Sequence, residues 1–93
     1  MSDRCAPPPG TKAWSMHVLR FRNQNFRFQW NPRMFTWQPD RWAARNAGNC
    51  WWYLDVDKAT RDGWRYIGPV EDENGDLTPA GLLTVTDPFA HPT

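Results

Sequence analysis

The chain has 93 residues, with 11 Lys and Arg against 10 Asp and Glu, nine prolines, two cysteines, and seven Trp, five Phe and two Tyr. That length makes one domain, and the Pro-rich ends leave a folded region of about 70–75 residues, near the size where a single core is marginal. Two cysteines exclude a disulfide-built scaffold, and no apolar run approaches the roughly 18 residues of a membrane span.

The first 12 residues contain Ala6-Pro7-Pro8-Pro9-Gly10, which favours an extended polyproline-type arm whose prolines cannot donate to a sheet ladder. They show no charged, apolar and small-residue order of a signal peptide, so the chain is expected to be made and kept in the cytoplasm. Residues 13–22 and 26–30 read as a hairpin across Asn23-Gln24-Asn25, a polar turn of residues that accept left-handed geometry. Phe26, Phe28 and Trp30 alternate with Arg27 and Gln29, the period-2 pattern of a half-buried strand. In the first arm Trp14, Met16 and Val18 share one face while Leu19 and Phe21 fall on the other. Either both faces are covered or a bulge shifts the register between residues 18 and 20.

Asn31-Pro32-Arg33 turns the chain into a short extended piece, residues 34–37. Residues 41–47 then read as the only helix, with Asp40 as N-cap and Gly48 as terminator. Residues 50–57 and 64–69 read as the central hairpin, since the first run is rich in aromatic and β-branched residues and Gly63 tolerates positive φ in the turn. Trp52, Leu54 and Val56 are expected to face inward, with Trp64 and Tyr66 contributing across the pair. Residues 70–77 are acidic, with a tight turn at Asn74-Gly75, and residues 82–86 read as a last strand. The pattern predicts an α+β, mostly β fold: a small antiparallel sheet or partly open barrel of four to six strands with one short helix at about 41–47 and extended Pro-rich termini. Its parts are an arm at 1–12, a single Trp/Arg-rich domain at 13–86 and an arm at 87–93.

The core must come from few, large side chains. Each buried aromatic removes roughly 150–250 Å² from water, so a stable fold needs neither a metal nor a disulfide. Cys50, heading an aromatic strand, is expected to be a buried thiol.

Charge is distributed more informatively than its sum of +1. Residues 1–48 hold eight basic side chains against two acidic, and residues 49–93 hold three against eight. Either the halves neutralise each other in the fold, or the molecule has one basic and one acidic surface suited to bridging unlike partners.

No catalytic or cofactor signature stands out, and no cofactor is expected. Asp55 and Asp57 would share a strand face with Trp51 and Tyr53 at a spacing of roughly 6.5–7 Å, which would suit paired carboxylates acting on a sugar. A hairpin's wet polar face near its turn explains them as well, and nothing nearby supplies supporting groups. The acidic run 71–76 has the composition of a calcium loop, but a start at Asp72 puts Leu77 where the glycine belongs and Leu83 where the bidentate Glu belongs. The His and Cys residues lack zinc spacing, and neither GxGxxG nor a P-loop occurs.

The functional candidate is the interleaving of basic and aromatic residues between His17 and Trp42. Single-stranded nucleic acid is bound by this chemistry, and protein interfaces use it for hot spots. Arg outnumbers Lys nine to two, which favours bidentate pairing with carboxylates over loose attraction to phosphate. The expected partner-binding residues are Arg20, Arg22, Arg27, Trp30, Arg33 and Trp37, with Pro7, Pro8, Pro9 and Phe89 in the arms. The reading is a non-enzymatic structural or protein-interaction module, in the style of a small phage-type virion accessory that decorates or adapts a larger assembly. The alternatives are a phage-type inhibitor docking on a host protein and a single-stranded nucleic-acid-binding protein. A homo-oligomer fits the bipolar charge, and no membrane partner is expected.

Overall fold

The computed structural model describes residues 4–45 and 48–86. Five strands and one helix follow one another as β1 (Met16–Phe21), β2 (Gln24–Asn31), β3 (Arg41–Arg45), β4 (Trp51–Asp55), α1 (Val56–Asp62) and β5 (Arg65–Pro69). They form one five-stranded sheet in the order β4-β3-β2-β1-β5, every neighbouring pair antiparallel. The mostly β, antiparallel fold with one short helix expected from the sequence is therefore present, as an open sheet.

The order corrects the central hairpin. Residues 50–57 and 64–69 do not pair with each other, because β4 and β5 occupy opposite edges of the sheet. The segment between them is α1. Four strand spacings of ~4.8 Å require a connection of about 19 Å. Seven helical residues at ~1.5 Å each, with the extended residues flanking them, span that distance, whereas a turn cannot. The local signals are those of a helix. Asp55 is the N-cap, its side chain accepting from the Asp57 amide, and Gly63 ends the helix at φ 99° with its N–H returning to Ala59 and Thr60. Gly63 does carry the expected positive φ, but as a helix terminator.

The helix expected at 41–47 is strand β3 over its described part. Ala43 and Ala44 have helix propensity, but β3 lies between β2 and β4, where pairing on both sides and the burial of Trp42 and Ala43, both 0% exposed, outweigh it. The β1–β2 connection is a two-residue turn at Arg22-Asn23, with φ 51° and 66°, the type I′ geometry that matches strand twist. It falls one residue before the turn expected from the sequence. The expected register shift is present between Val18 and Leu19, on the β5 side only. Residues 34–37 form a turn rather than an extended piece, and residues 82–86 make no strand. The acidic turn stands as expected: Asp72 accepts from the amides of Asn74 and Asp76 around Gly75.

Alternation gives the sheet two unlike faces. The helix face presents Leu19, Phe26, Phe28, Trp30, Trp42 and Leu54, which pack with Trp64 and with Val56 and Ala59 of α1. Trp42 is the centre, against Trp30 at 4.9 Å, Tyr66 at 5.9 Å and the edge of His17 at 5.4 Å. The N-terminal segment closes this core. Cys5 is 0% exposed, its carbonyl accepts from Trp42 Nε1 at 2.8 Å and its amide donates to Thr60 Oγ1 at 2.9 Å. The expected buried thiol, Cys50, is exposed, and Cys5 is the buried one, both free. A cysteine beside a chain end can be buried when that end is roofed by α1, a contact that local pattern does not reveal.

Candidate functional site

The opposite, open face carries what the helix face does not need. Register places Arg20 and Arg27 on β1 and β2, Arg41 and Arg45 on β3, and Trp51, Tyr53 and Asp55 on β4, all on this side. Residues 78–86 cross one end of it, Arg27 donating to the Gly81 carbonyl at 3.2 Å and Asn25 Nδ2 to the Thr84 carbonyl at 3.2 Å. What remains open is a groove of about 720 Å³ bounded by Trp14, Met16, Arg27, Gln29, Arg45 and Trp51, with Val85 and Thr86 at its rim.

Its cations are pre-positioned by neutral groups. Arg20 Nε donates to Asn25 Oδ1 at 2.9 Å and Arg45 to Asn49 Oδ1 at 2.7 Å. The Arg41 guanidinium lies 4.4 Å from the Tyr53 ring centre and that of Arg45 lies 4.6 Å from Trp51. Trp51 and Tyr53 stack on each other at 6.4 Å and 18°, and Trp14 adds a tilted contact to Trp51 at 6.1 Å. Among the described residues none of Arg20, Arg27, Arg41 and Arg45 makes an ion pair, whereas Arg4 pairs with Asp40 and Asp57, and Lys58 with Asp62. Of these pairs, Arg4 to Asp57 joins the basic half of the chain to the acidic half. Asp57 and Asp62 stand on α1, across the sheet, and the acidic turn lies beyond β5. Asp55 is the exception, sharing the open face opposite Arg41 while its side chain caps α1.

Gln29 adds an unused acceptor. Its Oε1 is buried in the groove wall with no hydrogen-bond partner among the described residues, and an N–H donor entering the groove would satisfy it.

The residues expected from the sequence are distributed over several places. Arg20 and Arg27 belong to the open face. Arg22 sits in the β1–β2 turn with its guanidinium 5.0 Å from the Phe21 ring centre. Trp30 is 7% exposed in the core against Trp42. Arg33 and Trp37 lie in the loop before β3, where Trp37 is 75% exposed and stacks on Phe35 at 5.3 Å. Pro7 is buried within the N-terminal segment, Pro8 and Pro9 are exposed, and Phe89 lies outside the described residues. Arg41 falls within the basic and aromatic stretch that the sequence singles out, whereas Arg45, Trp14, Trp51 and Tyr53 were not expected there. Arg41 and Arg45, four apart, share a face in a helix and in a strand alike; what the helical reading conceals is the pairing of that segment with β2 and β4, which sets them beside Gln29, Trp51 and Tyr53.

Asp55 and Asp57 do not form a carboxylate pair on one strand. Asp55 ends β4 and caps α1, while Asp57 is in the helix's first turn, so the geometry imagined for sugar chemistry is absent. Among the described residues no three His, Cys, Asp or Glu side chains converge as metal ligands, and no helix is long and apolar enough to cross a membrane.

One buried polar cluster lies behind the face. His17, 2% exposed, accepts or donates to Ser15 Oγ at 2.7 Å and Tyr66 Oη at 2.9 Å. Burial lowers its imidazole to about 4 and raises the Tyr66 phenol to about 12. It is a neutral structural bridge between β1 and β5.

These features define a small open-sheet α+β protein with an arginine and aromatic face. Compared with known proteins, the chain matches no family model, no curated protein and no solved structure.

Proposed function

We propose that the chain is a non-enzymatic protein-interaction module whose open face receives an acidic segment of a partner protein. The observation that carries this is the set of four arginines, Arg20, Arg27, Arg41 and Arg45, held on one face without a carboxylate partner among the described residues. Guanidinium groups fixed in this way bind carboxylates bidentately and at low entropic cost. Trp14 and Met16, 52% and 38% exposed, offer the groove an apolar wall. Stacking argues for protein over nucleic acid. A base needs a free ring face, whereas Trp51 and Tyr53 already carry Arg45 and Arg41 and lean on each other. The setting that the sequence suggests, a small virion component, belongs to this proposal and is tested by co-purification with particles in many copies.

The experiment is a titration of Trp fluorescence with a Glu- and Asp-rich peptide and, separately, with an oligothymidylate. Saturable peptide binding is expected, weakened in Arg27→Ala and Arg45→Ala by about tenfold each, the loss of a charge-assisted hydrogen bond worth ~1.5 kcal/mol. Peptide binding unchanged in both variants overturns the proposal. Oligonucleotide binding that outcompetes the peptide and falls steeply with salt turns it toward nucleic acid.

A further inference from the structure

The sheet has two edges, and only one is guarded. The β5 edge carries Gly68, Pro69 and the register shift against β1, devices that discourage further pairing. The β4 edge has the sequence Trp51-Trp52-Tyr53-Leu54-Asp55, with no Pro, Gly or Lys, and no described strand pairs with its outer side. Its three aromatic residues are 38%, 40% and 46% exposed, on alternate faces. Such an edge is a template for another strand.

We infer that β4 pairs antiparallel with β4 of a second copy of this chain, about a two-fold axis at Tyr53, making one continuous sheet from the two copies. The strand is self-complementary in that register. On the helix face Trp52 comes opposite Leu54 of the second copy, and the reverse, so apolar meets apolar at both positions. The two Trp52 side chains become diagonal neighbours, within reach of aromatic rings. On the open face Tyr53 meets its own copy, and Trp51 comes opposite Asp55. Arg45 lies over the Trp51 ring at 4.6 Å, so its guanidinium stands beside the incoming Asp55 carboxylate. This occurs twice, once on each side of the axis. A shift by one residue would put Trp52 opposite Tyr53 across unlike faces and lose both charge pairs. A closed two-fold pairing also consumes the edge and leaves no open end at β4 for further growth. The second copy is favoured over an unrelated strand because charge and side-chain order match at every position. The open faces of the two copies would then form one surface that carries Arg20, Arg27 and Arg41 twice beside the two Arg45–Asp55 pairs.

The test uses the full chain with Cys50→Ser, which removes the exposed thiol. Sedimentation over a wide concentration range is expected to show a monomer–dimer equilibrium, shifted to monomer by Trp52→Lys and by Arg45→Glu, with the far-ultraviolet circular dichroism of each variant unchanged. Register is read by adding Tyr53→Cys or Trp51→Cys under mild oxidation. In the inferred pairing position 53 faces itself with Cβ atoms about 5 Å apart. Position 51 is four residues from its own copy, about 13 Å. A disulfide-linked dimer of the Tyr53→Cys chain, absent for the Trp51→Cys chain, is the expected result. A folded chain that sediments as a monomer throughout overturns the inference. So does a dimer that cross-links equally through both positions, or one that persists in Trp52→Lys and Arg45→Glu.

Discussion

Replacing His17 by Gln gives the most quantitative test of the buried architecture. The imidazole is held at about 4 in the fold against an ordinary 6.5, because burial disfavours its charged form. Both of its hydroxyl partners can accept from an imidazolium, so the cost is the desolvated charge and not a lost hydrogen bond. Since the folded value lies below the unfolded one, the unfolded chain holds the extra proton between them. The stability contributed by neutral His17 is therefore intact above pH 6.5 and is lost progressively as pH falls toward 4. At about 1.4 kcal/mol per pH unit the loss over that interval is about 3 kcal/mol, a large part of the ~5–15 kcal/mol of a typical domain. Urea unfolding followed by Trp fluorescence from pH 7 to pH 4.5 measures it. His17→Gln should start less stable at pH 7 and show a shallower decline, the two curves converging toward acid. Parallel curves would refute the reasoning, since carboxylates and His91 contribute equally to both chains.

Three further outcomes follow from single contacts. A thiol reagent should modify Cys50 rapidly and Cys5 only on unfolding, because Cys5 is 0% exposed and burial raises its thiol to about 11, the Trp42 contact opposing; Trp42→Phe, which strips the donor from the Cys5 carbonyl, should cost about 1–3 kcal/mol and make Cys5 reactive in the native state. Gly63→Ala should lower stability by about 1 kcal/mol in a thermal melt, because the helix ends there at φ 99° and a side chain is strained in that region. Gly81→Ala should cost about 1–3 kcal/mol and loosen residues 78–86, because a Cβ there would fall 2.1 Å from the Val70 carbonyl oxygen; hydrogen exchange of the Thr78 amide, which donates to Val70, reads the same event locally.

The acidic turn and the β1–β2 hairpin were legible because their causes are local: Asp72 satisfies amides two and four residues away, and Arg22-Asn23 closes a two-residue loop. The same local signals mislead where one residue serves two geometries. Gly63 takes a positive φ in a hairpin turn and at a helix end alike, and only the distance from one sheet edge to the other requires the helix.

The sequence alone determined the class of the fold, the aromatic core and the separation of charge, because period-2 patterning and residue counts do not depend on which strands are neighbours. Strand order was decided by the tertiary structure. It turned Ala43 and Ala44 from a helix into an inner strand, moved Trp30 inward, and brought Arg20 and Arg27 beside Arg41 and Arg45. An arginine and aromatic face assembled from four strands exists only once those strands are paired, since no single strand contains it.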